Sequence, residues 1–256
     1  MLIGEFLDLF ESKFPSNIQE EWDNSGLQVG DCGDELKGIL LCVDVSSESV
    51  EMAESKGCNL IISHHPIIFD ELKSIEKSHF IGKKIFSAIE KKISIYSTHT
   101  AIDANGLNFY VFKKMGYASE GNISMLNENY GYGDFSETDE SVLDIISKIK
   151  DVFNIDHALY YGDYSARINK VGLVTGSGMD FLGECINKNL DLYITADVKH
   201  HDALDAVEQG LNLLDIGHYD SEKLFIDYLE EEIYKIDESI KTERYYADKK
   251  YIRRIV

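Results

Sequence analysis

The chain has 256 residues, 44% of them hydrophobic, and sets 46 acidic side chains against 25 basic ones for a formal net charge of −21. That length can bury a sizeable core, as one large α/β domain or as two halves. So acidic a surface repels phosphate backbones, which argues against bulk nucleic-acid binding but leaves room for a small anion held by metals in a pocket. No apolar run approaches the roughly 20 residues of a membrane span. The start, Met1 to Phe14, is amphipathic and carries Glu5, Asp8 and Glu11, unlike a signal peptide. Cys32, Cys42, Cys58 and Cys185 show no C-x-x-C pairing, so a reduced, cytoplasmic protein without a membrane partner is expected.

Leu2, Phe6, Leu9 and Phe10 recur at helical spacing and predict an opening amphipathic helix. Trp22 to Gly30 reads as a turn leading into a short strand, and Asp23-Asn24 as Asx turn chemistry. Gly38 to Val45 is a buried-type strand. Ser46 and Ser47 are N-caps for a helix through Lys56, stopped by Gly57. The strand Asn59 to Ser63 follows and runs into His64-His65-Pro66. A helix over 80–92, a strand Ile93 to Ser97, His99 and a helix Asn108 to Met115 complete a first half, residues 1–116.

Residues 117–169 differ: glycines punctuate short aromatic stretches, and 138–150 predict one amphipathic helix. This segment reads as a connection with extra strands and a possible oligomer contact. The second half, 170–256, repeats the earlier logic. Val171 to Thr175 is a strand, Gly176-Ser177-Gly178 a tight turn, and Asp180 to Asn187 a helix. The strand Asp191 to Thr195 leads to Asp197-Val198-Lys199-His200-His201. A helix Ala203 to Gln209, a strand Leu211 to Asp215, Gly217-His218 and a helix Ser221 to Tyr234 follow. Repeated βα units predict an α/β fold with mixed sheets flanked by helices. Ligands in such sheets gather at the C-terminal ends of strands, where the histidine clusters fall.

Those strand ends carry the chemistry. His64 and His65 close one strand, and His99 to Asp103 and His218 to Glu222 share a His-x-x-x-acid spacing. His64, His65, Asp103, His218 and Glu222 form a metal set of three imidazoles and two carboxylates. It suits two borderline divalent ions, zinc, iron, manganese or nickel, rather than calcium. A carboxylate can bridge two ions and an imidazole nitrogen cannot, so Glu222 or Asp103 would be the bridge. His99 could be a further ligand, a general acid or base, or a plain hydrogen-bond partner of Asp103 or the backbone. His200 and His201 mirror the first His pair. Outer supporting roles are assigned to Asp197, Lys199 and His201, with direct ligation disfavoured for the pair. The amides of Gly176, Ser177 and Gly178 could cradle an anion, although a tight turn needs glycine anyway. His79 and His157 read as surface residues.

These motifs, Trp22 to Gly30, Ser63-His64-His65-Pro66, Ser97 to Asp103, Asn108, Tyr193 to Asp202 and Gly217 to Glu222, resemble a dinuclear-metal family: the NIF-three-like proteins, named for GTP cyclohydrolase 1 type 2. The likeness spans nearly the whole chain. It implies that His64, His65, Asp103, His218 and Glu222 are the metal ligands. It also implies two similar α/β halves facing across a metal cleft, and ring-like homohexamers. The run Lys249 to Arg254 departs from the family ending. A metal-dependent hydrolase of a nucleotide or small anion is the implied activity, with a phosphoesterase or a non-catalytic metal-binding module as alternatives. The chain has no clear guanine-reading or triphosphate-reading motif.

Overall fold

The computed structural model describes residues 1–247 and divides the chain into two compact units. Among the described residues, one comprises Met1–Ile102 and 225–247; the other comprises Asp103–Leu224. The basic run Lys249 to Arg254 lies outside the described residues.

The first unit opens with α1 (Ile3–Lys13), which buries Ile3, Phe6, Leu7 and Phe10, one stripe at helical spacing. Then come β1 (Gly26–Val29), β2 (Ile39–Cys42), α2 (Ser47–Lys56), β3 (Leu60–Ser63), α3 (Phe80–Glu90), β4 (Ser94–Ser97) and the single turn α4 (Thr100–Ile102). Strands β2, β3 and β4 run parallel, and every residue in them is buried. That is the pattern of a sheet covered on both faces, and it explains why the sequence reads as apolar runs without alternation. On one face Leu40, Ile61 and Ile95 pack with Val50 and Ala53 of α2 and Ile85 and Ala88 of α3. On the other, the Tyr96 ring meets Phe10 edge-on at 5.6 Å, and its hydroxyl donates to Glu11 at 2.9 Å. Helix α2 is capped as predicted: Ser46 Oγ accepts from the Ser49 amide at 3.0 Å, and Gly57 turns left-handed at φ 70°.

The second unit contains α5 (Asn108–Lys114), β5 (Ser124–Met125), β6 (Gly131–Tyr132), β7 (Asp134–Ser141), α6 (Val142–Phe153), β8 (Leu159–Tyr161) and β9 (Arg167–Leu173). It continues through α7 (Leu182–Asn187), β10 (Leu192–Thr195), α8 (His200–Glu208), β11 (Asn212–Asp215) and α9 (His218–Glu222). Its main sheet has the order β7-β9-β10-β11-β8, with β9, β10 and β11 parallel and both outer strands antiparallel. The chain then returns to the first unit through α10 (Leu224–Ile236) and β12 (Thr242–Arg244). There β12 pairs parallel with β2, giving the order β1-β4-β3-β2-β12. The α10 residue Tyr228 meets Phe14 edge-on at 5.9 Å, and Glu232 pairs with Lys13.

The unit boundaries therefore fall at 102/103 and 224/225, not near 116/117 and 169/170. The expected connecting segment supplies both outer strands of the second sheet, and the closing helix belongs to the first unit. Two local expectations also change. Residues 138–141 are the end of β7, and Ser141 caps α6 by accepting from the Asp144 amide at 3.2 Å. Helix α8 starts at His200, three residues before the Ala203 start read from periodicity, so the second His pair opens the helix as its charged surroundings indicate. No helix among the described residues is long and apolar enough to cross a membrane.

Candidate metal centre

In the first unit, the parallel pairing continues past the end of β3. The His64 amide donates to Cys42 O at 3.1 Å and the His65 amide to Val43 O at 2.9 Å. Ser63 Oγ donates to His65 O at 2.8 Å. The two imidazoles are thus carried on backbone as rigid as the strand itself. His64 is fully buried, and His65 is partly buried. His99, two residues past β4, joins them: the three offer ring nitrogens that lie within 4.8 Å of one another. Their ring centroids are 4.9 to 5.3 Å apart.

Two aspartates aim these rings. Asp44, two residues past β2, holds His65 Nδ1 at 2.8 Å. Asp23, in the loop before β1, holds His99 Nδ1 at 3.0 Å. Its side chain is fully buried and also accepts from the Thr100 amide at 3.0 Å and from the Thr100 hydroxyl. Burial alone pushes the Asp23 carboxyl up. The bond to His99, its charge and the two Thr100 bonds outweigh that and bring the group down to about 2. A carboxylate on Nδ1 fixes the tautomer and presents Nε2 to a metal, the usual outer support of a ligating histidine.

The second unit repeats the device. His218 and Glu222 stand one turn apart on α9, so both project from the same helix face. His218 Nε2 lies 3.2 Å from Glu222 Oε2, and Asp197 holds His218 Nδ1 at 2.7 Å. Asp197 sits two residues past β10 in a left-handed conformation, φ 55°. Asp215 shapes the loops by accepting from the Val198 amide at 3.1 Å and the Gly217 amide at 2.9 Å.

Gly176 explains the glycine turn. A Cβ there would stand 2.3 Å from Glu222 Oε1, at φ +67°. At that φ any side chain is strained, and the glycine also leaves the carboxylate its space. The predicted anion cradle loses donors accordingly: the Gly176 amide goes to Ser221 Oγ at 2.8 Å and the Gly178 amide to Thr195 Oγ1 at 2.9 Å. Ser177 is exposed, and a 3-10 turn, Met179–Phe181, separates the loop from α7.

Asp103 opens the second unit at a π-helical turn, where its carbonyl accepts from Asn108 Nδ2 at 3.0 Å. Asp197 supports His218. Lys199, His200 and His201 are exposed at the start of α8, so Asp197, not the second His pair, takes the strand-end position that matches His65. Asp44 and Asp23 were missed as supports. The signal for Asp44 was its place two residues past a strand, the same place as Asp197; Asp23 is far in sequence from His99 and gave none. The donor set, imidazoles with Nδ1 already held by carboxylates and a glutamate seated over a glycine, fits a borderline divalent metal.

The family model described as Duf34/NIF3 (NGG1p interacting factor 3) matches residues 1–250, and the chain belongs to this family. It is 36% identical over 229 residues to the GTP cyclohydrolase 1 type 2 homolog of Clostridium perfringens, covering 87% of each chain. With the homolog of the same name from Clostridium acetobutylicum it shares 30% identity over 227 residues, covering 86% of this chain and 85% of the other. The crystal structure of Staphylococcus aureus protein SA1388 superposes with a TM-score of 0.90 at 28% identity, covering 100% of this chain and 99% of that one.

Proposed function

We propose that this protein is a metal-dependent hydrolase of a small anionic or nucleotide substrate. On this reading His64, His65, Asp103, His218 and Glu222 hold two divalent transition-metal ions per chain. The observation that supports it most is the repeated Asp–His unit, Asp44–His65 and Asp197–His218, one at a strand end in each unit. A ligating histidine commonly has its other ring nitrogen held by a carboxylate in this way. The names of the curated relatives point the same way.

Bound ions would supply Lewis acidity, polarising the substrate and making a water acidic enough to attack near neutral pH. The chain's own groups would do the rest. His99, its Nδ1 held by Asp23 at 3.0 Å, would take up and hand on a proton at Nε2 during the reaction. Buried His64 and the ring of Phe225, 5.1 Å away, keep bulk water from one side of the imidazole cluster. Assembly as a homohexamer, which the family resemblance implies, is part of the same proposal and is read from the mass in solution.

The test is metal content of untagged protein by elemental mass spectrometry, followed by a nucleotide panel with the metal found. Close to two ions per chain and turnover that is lost in His99→Ala, with metal retained, are expected. Phosphate release as the only product would move the reading to a phosphoesterase. Two ions without turnover would make the chain a binding module, and no metal after reconstitution would overturn the ligand set.

A further inference from the structure

Beside the imidazole cluster, the first unit holds a pocket of about 250 Å³ whose walls include Asp44, His65, Phe69, Asp70, Phe80 and Lys84. Most of its lining comes from the irregular stretch between β3 and α3, residues 64–79. A structureless connection of that length in a compact fold is usually functional. Two of its rings are unusual for a surface: Phe69 is 50% exposed and Phe80 69% exposed. Trp22, 58% exposed, stands 5.9 Å from Phe69 and 5.8 Å from His99 by ring centroids. Large exposed aromatics beside a polar cluster are the lining expected of a ligand site.

Size and charge narrow the ligand. The volume is below the roughly 300–1,000 Å³ of a pocket for a drug-sized molecule, so it has room for one ring or a fused pair. Lys84 is the one lysine or arginine among the lining residues, which also include two acids, Asp44 and Asp70. Its Nζ donates to Val45 O at 2.9 Å, and an ammonium carries three donors, so hydrogen-bonding capacity is left for a ligand. A chain of phosphates would meet net negative charge here. A larger hollow of about 430 Å³ near β1 is bounded by Val29, Ile68, Ile85 and Ile93 and has no aromatic wall.

We propose that the pocket bounded by Asp44, His65, Phe69, Phe80 and Lys84 seats a flat heteroaromatic ring carrying at most one negative charge, stacked on the phenylalanines with an acceptor turned to Lys84. This rests on the hydrolase reading and specifies its substrate class: the ring, not a triphosphate, is what the first unit recognises. Burial lowers Lys84 from its ordinary value, with Asp44 opposing, so an acceptor on the ring would strengthen the charged form.

Calorimetric titration of the intact protein, with and without added metal, tests it with four probes: urate (flat, singly anionic), guanosine (flat, neutral), GTP, and cyclohexanecarboxylate (anionic, not flat). Urate and guanosine are expected to bind, and cyclohexanecarboxylate at least about tenfold more weakly, since stacking is the main contribution. GTP should gain nothing over guanosine. Phe80→Ala should weaken both flat probes about tenfold, and Lys84→Met should weaken urate more than guanosine. Phe80 is exposed, so its truncation leaves folding intact, which circular dichroism checks. Equal binding of the non-flat acid, tighter binding of GTP than of guanosine, an inert Phe80→Ala, or no binding of any probe each overturns the proposal. Metal content is read on the same samples. Two ions with no ring binding sinks this inference alone; ring binding without metal sinks the hydrolase reading alone.

Discussion

The two units solve one problem with different materials. The first gathers three imidazoles, His64, His65 and His99, on strand ends and loops, with one of them fully buried. The second relies on a single helical turn, where His218 and Glu222 are neighbours by periodicity and the carboxylate fits only because residue 176 lacks a Cβ. What they share is an aspartate two residues past a strand, Asp44 or Asp197, bound to Nδ1 of a histidine. Sequence spacing records the second solution directly, whereas the first depends on strands brought together by the sheet. An i, i+4 pair on one helix can be read from the chain; a cluster from β3 and β4 needs the topology.

The largest expected effect follows from the second unit's dependence on empty space. In Gly176→Ala the new methyl would overlap Glu222 Oε1, and a residue with a side chain would be held at φ +67°. The backbone contribution is about 1 kcal/mol, but the displaced carboxylate matters more. Metal retention is expected to fall further than the ~10–100-fold of an outer partner's loss, with a modest drop in Tm. Unchanged metal content in Gly176→Ala would show that the carboxylate does not depend on that space, and the comparison of the two units would break there.

A smaller effect tests what they share. Asp44→Asn and Asp197→Asn keep the side-chain shape but remove the charge that holds each Nδ1. Each is expected to weaken metal affinity by ~10–100-fold, measured by competition with a chromophoric chelator. If the two substitutions differ greatly, the units do not contribute alike. If neither has an effect, the aspartates are ordinary surface acids, as side chains 58% and 52% exposed would suggest.

How much of this was legible in the sequence divides along the same line. The central strands, the capped helix α2 and the His-His and His-x-x-x-Glu motifs followed from local pattern: Ser46 and Gly57 mark a helix's ends wherever it packs. The ligand candidates were read from strand ends and spacing, and the family resemblance implies the same set. The unit boundaries were not legible. Helix α10 carries a periodic apolar face, and periodicity says that a face is buried without saying against which sheet. Nor did the role of Asp23 show, since Trp22-Asp23-Asn24 has the composition of an ordinary turn and its partner His99 comes 76 residues later. Lys199 and His201 begin an exposed helix, as their charged surroundings in the sequence indicate. Strand-end position, which selects Asp197, was the better guide.

The smallest expected effect compares one buried acid from each unit. Asp23 is held by His99 and Thr100 and lies at about 2. Asp134, at the start of β7, is buried with one contact, from Ser119 Oγ to Oδ1, while no hydrogen bond to Oδ2 is found among the described residues. Burial, partly offset by Ser119, raises Asp134 to about 6. The pH dependences have opposite signs. Asp23 binds its proton more weakly folded than unfolded, so its contribution is complete above the unfolded value near 3.8 and is lost as pH falls toward 2. Asp134 holds its proton more tightly folded, so its stabilisation is complete below the unfolded value and is lost as pH rises through about 6. At neutral pH the second unit therefore carries an ionised acid it would rather bury neutral, a cost of about 3 kcal/mol. Asp134→Asn should raise Tm at pH 7.5 by several degrees, and the gain should vanish near pH 3.5, in thermal melts of metal-free protein across that range. Asp23→Asn should lower Tm at pH 7.5 and approach the parent only at the acid end. A gain in Asp134→Asn that persists undiminished at pH 3.5 would mean that packing, not charge, sets the difference, because by then both states of the parent hold the proton.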